Sequence, residues 1–266
     1  MRENSQIIGG ITEKCTEKAA NLFLKLTSTV VTVSSIEAAE FSKIIDNTYR
    51  DVKFSFANQI AMISESLGLN IHEVIKAANR HYPRNNIPVP SPGVGGPCIS
   101  KDPHILINMS QNAGFEPELI KTSRKINEAY PRLIANRIKG FLSRNTPLFD
   151  KLNILIAGYA FKGSPVTADL RDSTTIMLMK ELKNIMDCKI YGYDPVVEKE
   201  ELEKVKGINT IQEKLDFKSM DVLIVANNHP SFKDWDIYHI LSEMNKPALI
   251  YDGWCMLDGD LVDNFE

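Results

Sequence analysis

Asn153-Ile154-Leu155-Ile156-Ala157-Gly158-Tyr159-Ala160-Phe161-Lys162-Gly163 is a strand-length apolar run that ends on a glycine turn. An unbroken apolar segment of this length suits a parallel sheet covered by helices on both faces. The residues that follow repeat the pattern: a helix from Ser173 to Met186, strands at Lys189 to Tyr193 and Val222 to Ala226, a helix near Phe232 to Met244, and a strand at Ala248 to Tyr251. This alternation predicts an α/β unit, a Rossmann-like doubly wound parallel-sheet domain, over residues 131–266. Its first βα loop lacks the G-x-G-x-x-G spacing that brings a pyrophosphate close to the backbone, and it lacks a Walker GK[ST]. The sheet has the outline of a nucleotide binder without a dinucleotide fingerprint.

Upstream of the sheet the pattern is helical. Ser34 with Glu37 three residues on reads as a capping box, and no Pro or Gly follows until Gly68. That predicts one helix of about 30 residues, ~45 Å long. Ala38, Phe41, Ile45, Val52, Phe56, Ile60 and Ile63 form an apolar stripe at helical spacing, widened by Ile44, Tyr49 and Met62. Such a stripe exceeds what its own small domain covers and predicts a homodimer through the long helix. Further helices are expected at Ile71 to Asn79, Lys101 to Asn112, Pro117 to Tyr130 and Pro131 to Leu142. Residues 34–130 therefore form a central helical dimerisation domain. Residues 1–33 read as strand, helix and strand, at Gln6 to Gly10, Glu13 to Lys25 and Thr29 to Val33; this piece cannot make a core alone and looks like the end of a larger α/β domain.

Composition removes several classes of function. With 266 residues, 43% hydrophobic content and a net charge of -3, the chain has the core of a globular protein and no basic run for nucleic acid or an anionic membrane. Its longest apolar stretches are strand-sized, which argues against a membrane span, and no hydrophobic leader follows Met1. Cys15, Cys98, Cys188 and Cys255 show neither CxxC nor Cys/His ligand spacing, so a reduced, cytoplasmic protein without a bound metal is expected.

The chemistry gathers at Gly93-Val94-Gly95-Gly96-Pro97-Cys98-Ile99-Ser100-Lys101-Asp102. The glycines permit positive φ and leave room for a substrate against the sulfur, and a cation beside a thiol favours the nucleophilic thiolate. Lys43 and Asn47 lie four residues apart on one face of the long helix and form a donor pair suited to an oxyanion. Arg80, His81 and Arg84 precede the cysteine turn and are candidates to clamp phosphates. Lys162 with Asp169-Leu170-Arg171-Asp172-Ser173 marks a second candidate anion site at a strand-to-helix junction. Each feature also has an ordinary reading as surface loop, solvated face or helix cap. Neither His81 nor His104 is placed as a base for Cys98, which disfavours a thiol acyltransferase.

Four stretches taken together resemble the UDP-glucose/GDP-mannose dehydrogenase family of nucleotide-sugar 6-dehydrogenases: Glu37 to Asn47 leading to Phe56-Ala57-Asn58-Gln59; the Gly93 to Cys98 turn with Asp102; Gly158 to Gly163 with Asp169 to Ser173; and Tyr193-Asp194-Pro195. The Pro-Gly-Val-Gly-Gly variant after Tyr82-Pro83-Arg84 is most similar to the branch acting on UDP-N-acetylmannosamine. The resemblance implies a two-step oxidation of a sugar C6 alcohol to a carboxylate with two NAD⁺. Cys98 would form a thiohemiacetal and then a thioester, Lys43 and Asn47 would stabilise the C6 oxygen, and Asp102 would orient or deprotonate water. Arg84, Gly95, Gly96, Phe161, Lys162 and Arg171 would contact the UDP-sugar, Arg84 reaching the substrate of a partner subunit. The implied fold places the helical domain between two Rossmann-like domains. Here the NAD-binding domain is reduced to its last β-α-β piece, so cofactor-binding residues are unknown, NAD⁺ binding by this chain alone is expected to be poor, and a separate NAD-binding chain is a candidate partner. Asp252-Gly253-Trp254 stands where many relatives place an arginine. The alternative is a non-catalytic module that binds nucleotide sugars and dimerises.

Overall fold

The computed structural model describes residues 5–84, 86–145, 151–211 and 216–257. Five parallel strands, β3 (Leu152–Ala157), β4 (Cys188–Tyr193), β5 (Asn209–Thr210), β6 (Val222–Val225) and β7 (Leu249–Asp252), form a sheet in the order β5-β4-β3-β6-β7. Every pairing is parallel, as a doubly wound fold requires. The chain starts in the middle strand, builds outward to β5, then crosses back to β6 on the other side of β3. That reversal opens a crevice beyond the carboxyl ends of β3 and β6, and the Gly158 turn sits there. Gly158 has φ +95°, and a Cβ on it would meet the Asn227 side chain at 2.5 Å, so the two loops close tightly against each other.

Successive residues of β3 feed opposite faces of the sheet. Ile154 and Ile156 pack with Leu178 and Leu182 of α6 (Thr174–Ile185) and with Ile134 and Ile138 of α5 (Glu118–Asn145). Leu155 faces the other way, toward Leu223, Phe217 and Ile240. The helix expected near Phe232 to Met244 is divided: a 3₁₀ turn, Pro230–Asp234, is followed by a short helix, Ile237–Glu243, capped by the Asp236 side chain, which accepts from His239 N. Between the two, Trp235 turns inward onto Phe232 and Phe217. The short helix Lys199–Glu203 and strand β5 had no periodic signal to announce them.

The helical part differs from expectation in three respects. Helix α5 is continuous, although two helices meeting at Pro131 were expected, and the expected domain junction at 130/131 falls within it. Proline in a helix interior costs about 3 kcal/mol. Here both halves are packed, the first against α2 (Ile36–Ser66) and the second against α6, and Tyr130 and Pro131 are buried at the crossing. Helix α2 has the expected length, but its cap is Ser35, not Ser34: Ser35 has extended φ/ψ and its Oγ accepts from Ala38 N at 3.1 Å. The faces of α2 are also reversed from a simple amphipathic reading. Asn47, Thr48, Asp51, Ser55 and Asn58 are buried, while Phe41, Ile45, Tyr49, Phe56 and Ile63 of the apolar stripe are exposed in the single chain. Strands β1 (Gln6–Ile8) and β2 (Val30–Thr32) form a separate two-stranded parallel sheet, joined by helix α1 (Glu13–Phe23).

Candidate active site

The polar inner face of α2 is the platform of the site. Lys43 and Asn47 stand one turn apart, and Lys43 Nζ donates to Asn47 Oδ1 at 3.4 Å. Asn47 in turn donates through Nδ2 to Asp102 Oδ2 at 2.6 Å. Asp102 opens α4 (Asp102–Asn112), where a carboxylate complements the helix N-terminus, and Pro103 suits the first turn. Its second oxygen accepts from Lys101 Nζ at 3.0 Å, a contact that raises the Lys101 pKa. Asp102 N donates to Cys98 O at 2.9 Å, so thiol residue and carboxylate residue share one turn of backbone. Lys43, Asn47, Cys98 and Asp102, separated by up to 59 positions in sequence, thus converge in one connected cluster, with Cys98 exposed at its edge.

The glycine turn explains itself through close approach. Gly96 has φ +96°, and a Cβ there would lie 2.5 Å from the Phe161 ring; a Cβ on Gly95 would lie 2.2 Å from Asp172 O. Gly96 N donates to Asp172 O at 3.1 Å, and Ser100 Oγ donates to Asp172 Oδ2 at 2.9 Å. The cysteine turn of the helical domain is therefore pressed directly onto the first βα loop of the sheet domain. Gly96→Ala is expected to lower stability by about 1–3 kcal/mol, since it adds backbone strain and displaces Phe161. An unchanged denaturant midpoint for that variant would contradict this packing.

Phe161, Lys162 and Arg171 line the same junction. Lys162 Nζ lies 5.3 Å from the centre of the Phe161 ring. Arg171 is exposed but held by Asp169, whose carboxylate accepts from Arg171 Nε and Nη2 and also from Arg171 N. That pairing holds the Asp169 carboxyl below its usual range and raises Arg171, with a smaller contribution from Cys98. Arg84 is exposed on the loop that follows the helix Ile71–Asn79, and no hydrogen bond or ion pair among the described residues links it to the cluster.

Sequence reasoning missed a buried layer beneath the cysteine turn. Arg124 and Asn127 on α5 meet Asp51 on α2, and Arg124 also donates to the backbone of the turn at Val94 O and Ile99 O. Polar residues at helical spacing inside otherwise apolar segments, Asp51 and Asn58 on α2, were the available signal. Cys15 is exposed like Cys98 but lies on α1, whereas Cys188 and Cys255 differ from Cys98 in their surroundings. Cys188 is buried, and burial pushes Cys255 up to about 11, too high for appreciable thiolate near neutral pH.

The chain's residues do not fit a dinucleotide on the five-stranded sheet. Asp194, buried at the end of β4, accepts from Tyr159 N at 2.7 Å and Ala160 N at 2.9 Å, the loop amides a pyrophosphate would need. Its other oxygen accepts from Val196 N and Val197 N. Among the described residues, no group of three or more His, Cys, Asp or Glu could hold a metal ion, and no helix is long and apolar enough to cross a membrane.

The model of the UDP-glucose/GDP-mannose dehydrogenase central domain matches residues 37–129, and that of the family's UDP-binding domain matches residues 155–259. The chain belongs to the UDP-glucose/GDP-mannose dehydrogenase family. The two matched domains are the ones that meet at the Gly96–Phe161 contact. A UDP-N-acetyl-D-mannosamine dehydrogenase of Methanocaldococcus jannaschii is 31% identical over 262 residues, covering 97% of this chain and 57% of the relative. An NDP-N-acetyl-D-galactosaminuronic acid dehydrogenase of Ralstonia nicotianae is 31% identical over 91% of this chain and 55% of its own length. The solved UDP-D-ManNAc dehydrogenase of Pyrococcus horikoshii superposes with a TM-score of 0.81 at 30% identity, over 97% of this chain and 57% of that one. The chain thus spans little more than half the length of the dehydrogenases of this family that it matches.

Trp254, in the stretch Asp252-Gly253-Trp254 where the resemblance leads one to expect an arginine, donates its indole N–H to Ala226 O at 3.1 Å and packs near Phe232 and Met256. An indole fixed there closes the end of the sheet and supplies no cation.

Proposed function

We propose that this chain carries the catalytic and sugar-nucleotide-binding part of a nucleotide-sugar 6-dehydrogenase, of the type that turns UDP-N-acetylmannosamine into UDP-N-acetylmannosaminuronate. The observation that supports it most is the hydrogen-bonded line from Lys43 through Asn47 to Asp102, which shares a backbone turn with Cys98. In this reading the Cys98 thiolate adds to the C6 aldehyde, a C–S bond forms, and the carbonyl oxygen gains negative charge. Lys43 and Asn47 donate to that oxygen. Once the adduct has been oxidised to the thioester, Asp102 takes a proton from the attacking water, and the C–S bond breaks to return the thiolate. The UDP moiety rests on the sheet domain against Phe161 and Lys162, with Gly95 and Gly96 leaving room for the sugar and Arg171 at the rim. Arg84 serves a second subunit, through a homodimer that covers the exposed apolar face of α2.

NAD⁺ is the hydride acceptor this chemistry calls for. Since Asp194 already holds the loop amides and the sequence contains no G-x-G-x-x-G, its cradle lies outside these 266 residues, supplied in cis or by a separate chain. Isothermal titration with UDP-N-acetylmannosamine, UDP-glucose and NAD⁺ separately checks both halves. Sugar-nucleotide binding without NAD⁺ heat is expected. Strong NAD⁺ binding would sink the assignment of the cradle, and no sugar-nucleotide binding would sink the function. The occupied loop amides at Tyr159 and Ala160, which leave no dinucleotide cradle on the five-stranded sheet, favour a second reading, a binding and dimerising module without turnover. Formation of NADH once a cofactor domain is supplied separates the two.

A further inference from the structure

Lys43, Asn47 and Asp51 follow one another at four-residue intervals on α2, so the face that presents the reacting donors continues into the buried layer below. Asp51 is fully buried, and its Oδ1 accepts from Arg124 Nη1 at 2.7 Å and from Asn127 Nδ2 at 2.8 Å. Arg124, 3% exposed, also donates through Nη1 to Ile99 O at 3.1 Å and through Nη2 to Val94 O at 3.4 Å. Val94 and Ile99 bracket the four residues Gly95 to Cys98. A third tie holds the start of the loop: Ser91 N donates to Asn58 Oδ1 at 2.9 Å, and Asn58 Nδ2 donates to Asn127 Oδ1 at 3.4 Å.

A buried ion pair is a poor source of net stability compared with apolar packing, and this one leaves Asp51 Oδ2 without a partner. What the pair does uniquely is geometric. A planar guanidinium can reach one carboxylate and two divergent carbonyls at once, which an ammonium on a flexible stem cannot reproduce. We infer that Arg124, held by Asp51, is a positioning residue that clamps the backbone on both sides of the glycine turn and so fixes where Cys98 stands relative to Asn47 and Asp102. The inference deepens the proposed function and rests on it for the importance of Cys98, but the clamp itself can be tested without turnover.

The test is the rate of iodoacetamide alkylation at Cys98 in the full chain, resolved by peptide mass spectrometry between pH 6 and 9, with Cys15 as internal reference. Arg124→Lys, which keeps the charge and loses the fork, is expected to change the Cys98 rate by roughly fivefold or more and to move its pH profile, while Cys15 is unaffected. Ile134→Val, a core change in the sheet domain, should leave Cys98 as it is. A folded Arg124→Lys protein whose Cys98 rate and pH profile match the parent would overturn the clamp. Should that variant not fold, amide exchange in the parent decides: the Ser91 amide is expected to open together with the α5 amides around Arg124, and free exchange at Ser91 beside a protected α5 would overturn it. A parent Cys98 no more reactive than Cys15 would instead count against its role as nucleophile, leaving the difference between variant and parent to judge the clamp.

Discussion

Cys98→Ser, in protein supplied with a cofactor domain, is expected to stop acid formation, with a loss on the order of 10³-fold or more, the scale on which removal of a covalent nucleophile acts. A thiolate attacks without further activation, whereas a serine hydroxyl needs a base to take its proton. Besides Asp102, whose two oxygens accept from Asn47 and Lys101, the charged neighbours of Cys98 are the cations Lys101 and Arg171, each raised in part by the sulfur. They can stabilise a thiolate but cannot deprotonate an alcohol. Sugar-nucleotide affinity should stay close to that of the parent, because the change is one atom at the exposed edge of the cluster. Separating alcohol, aldehyde and acid products by chromatography checks the result, and undiminished acid production would remove the thioester route. Replacing Cys15 by serine should change neither rate nor product.

The second large effect is on folding. Arg124→Met is expected to destabilise the chain by about 3–5 kcal/mol, because it leaves the Asp51 carboxylate buried without a counter-charge. Burial already raises the Asp51 pKa, and Arg124 is the largest influence opposing that rise. Without the arginine, the folded-state pKa of Asp51 moves further above its unfolded value. The penalty is then full above the folded pKa, shrinks as pH falls through it, and is gone below the unfolded value near 3.8. Urea midpoints at several pH values, at constant m, test the sign: a deficit that grows on acidification would contradict the account. Replacing Asp51 by leucine in the same chain should recover much of the loss, since an apolar pair leaves no charge stranded.

The sheet domain was legible because its strands are buried on both faces and so read as unbroken apolar runs with helices between them. The long helix was legible because nothing in it interrupts a helix for thirty residues. Pro131 misled because a local rule weighs a proline as a stop, whereas two packed neighbours outweigh its cost. Serine 34 and serine 35 carry the same chemistry, and only the backbone conformation at Ser35 decides which one caps. Cys98, Asp102, Lys43 and Asn47 became candidates through residue type and likeness to a family, and the structure adds the hydrogen bonds that bring them together. Asp51, Arg124 and Asn127 were not readable. Their role arises from meeting across 73 and 76 positions, which no local spacing encodes.

Helix α2 turns Asn47, Thr48, Asp51, Ser55 and Asn58 inward and its large apolar side chains Phe41, Ile45, Phe56 and Ile63 outward. For this element the usual hierarchy of tolerated change is inverted. A leucine or valine at position 47, 51 or 58, the mild exchange in most protein interiors, would be the ruinous one, while a swap among Phe, Leu and Met on the outer side should leave the single chain's fold nearly indifferent. Variation along these thirty-one residues ought to be constrained by directionality of bonding on one side and by greasiness alone on the other.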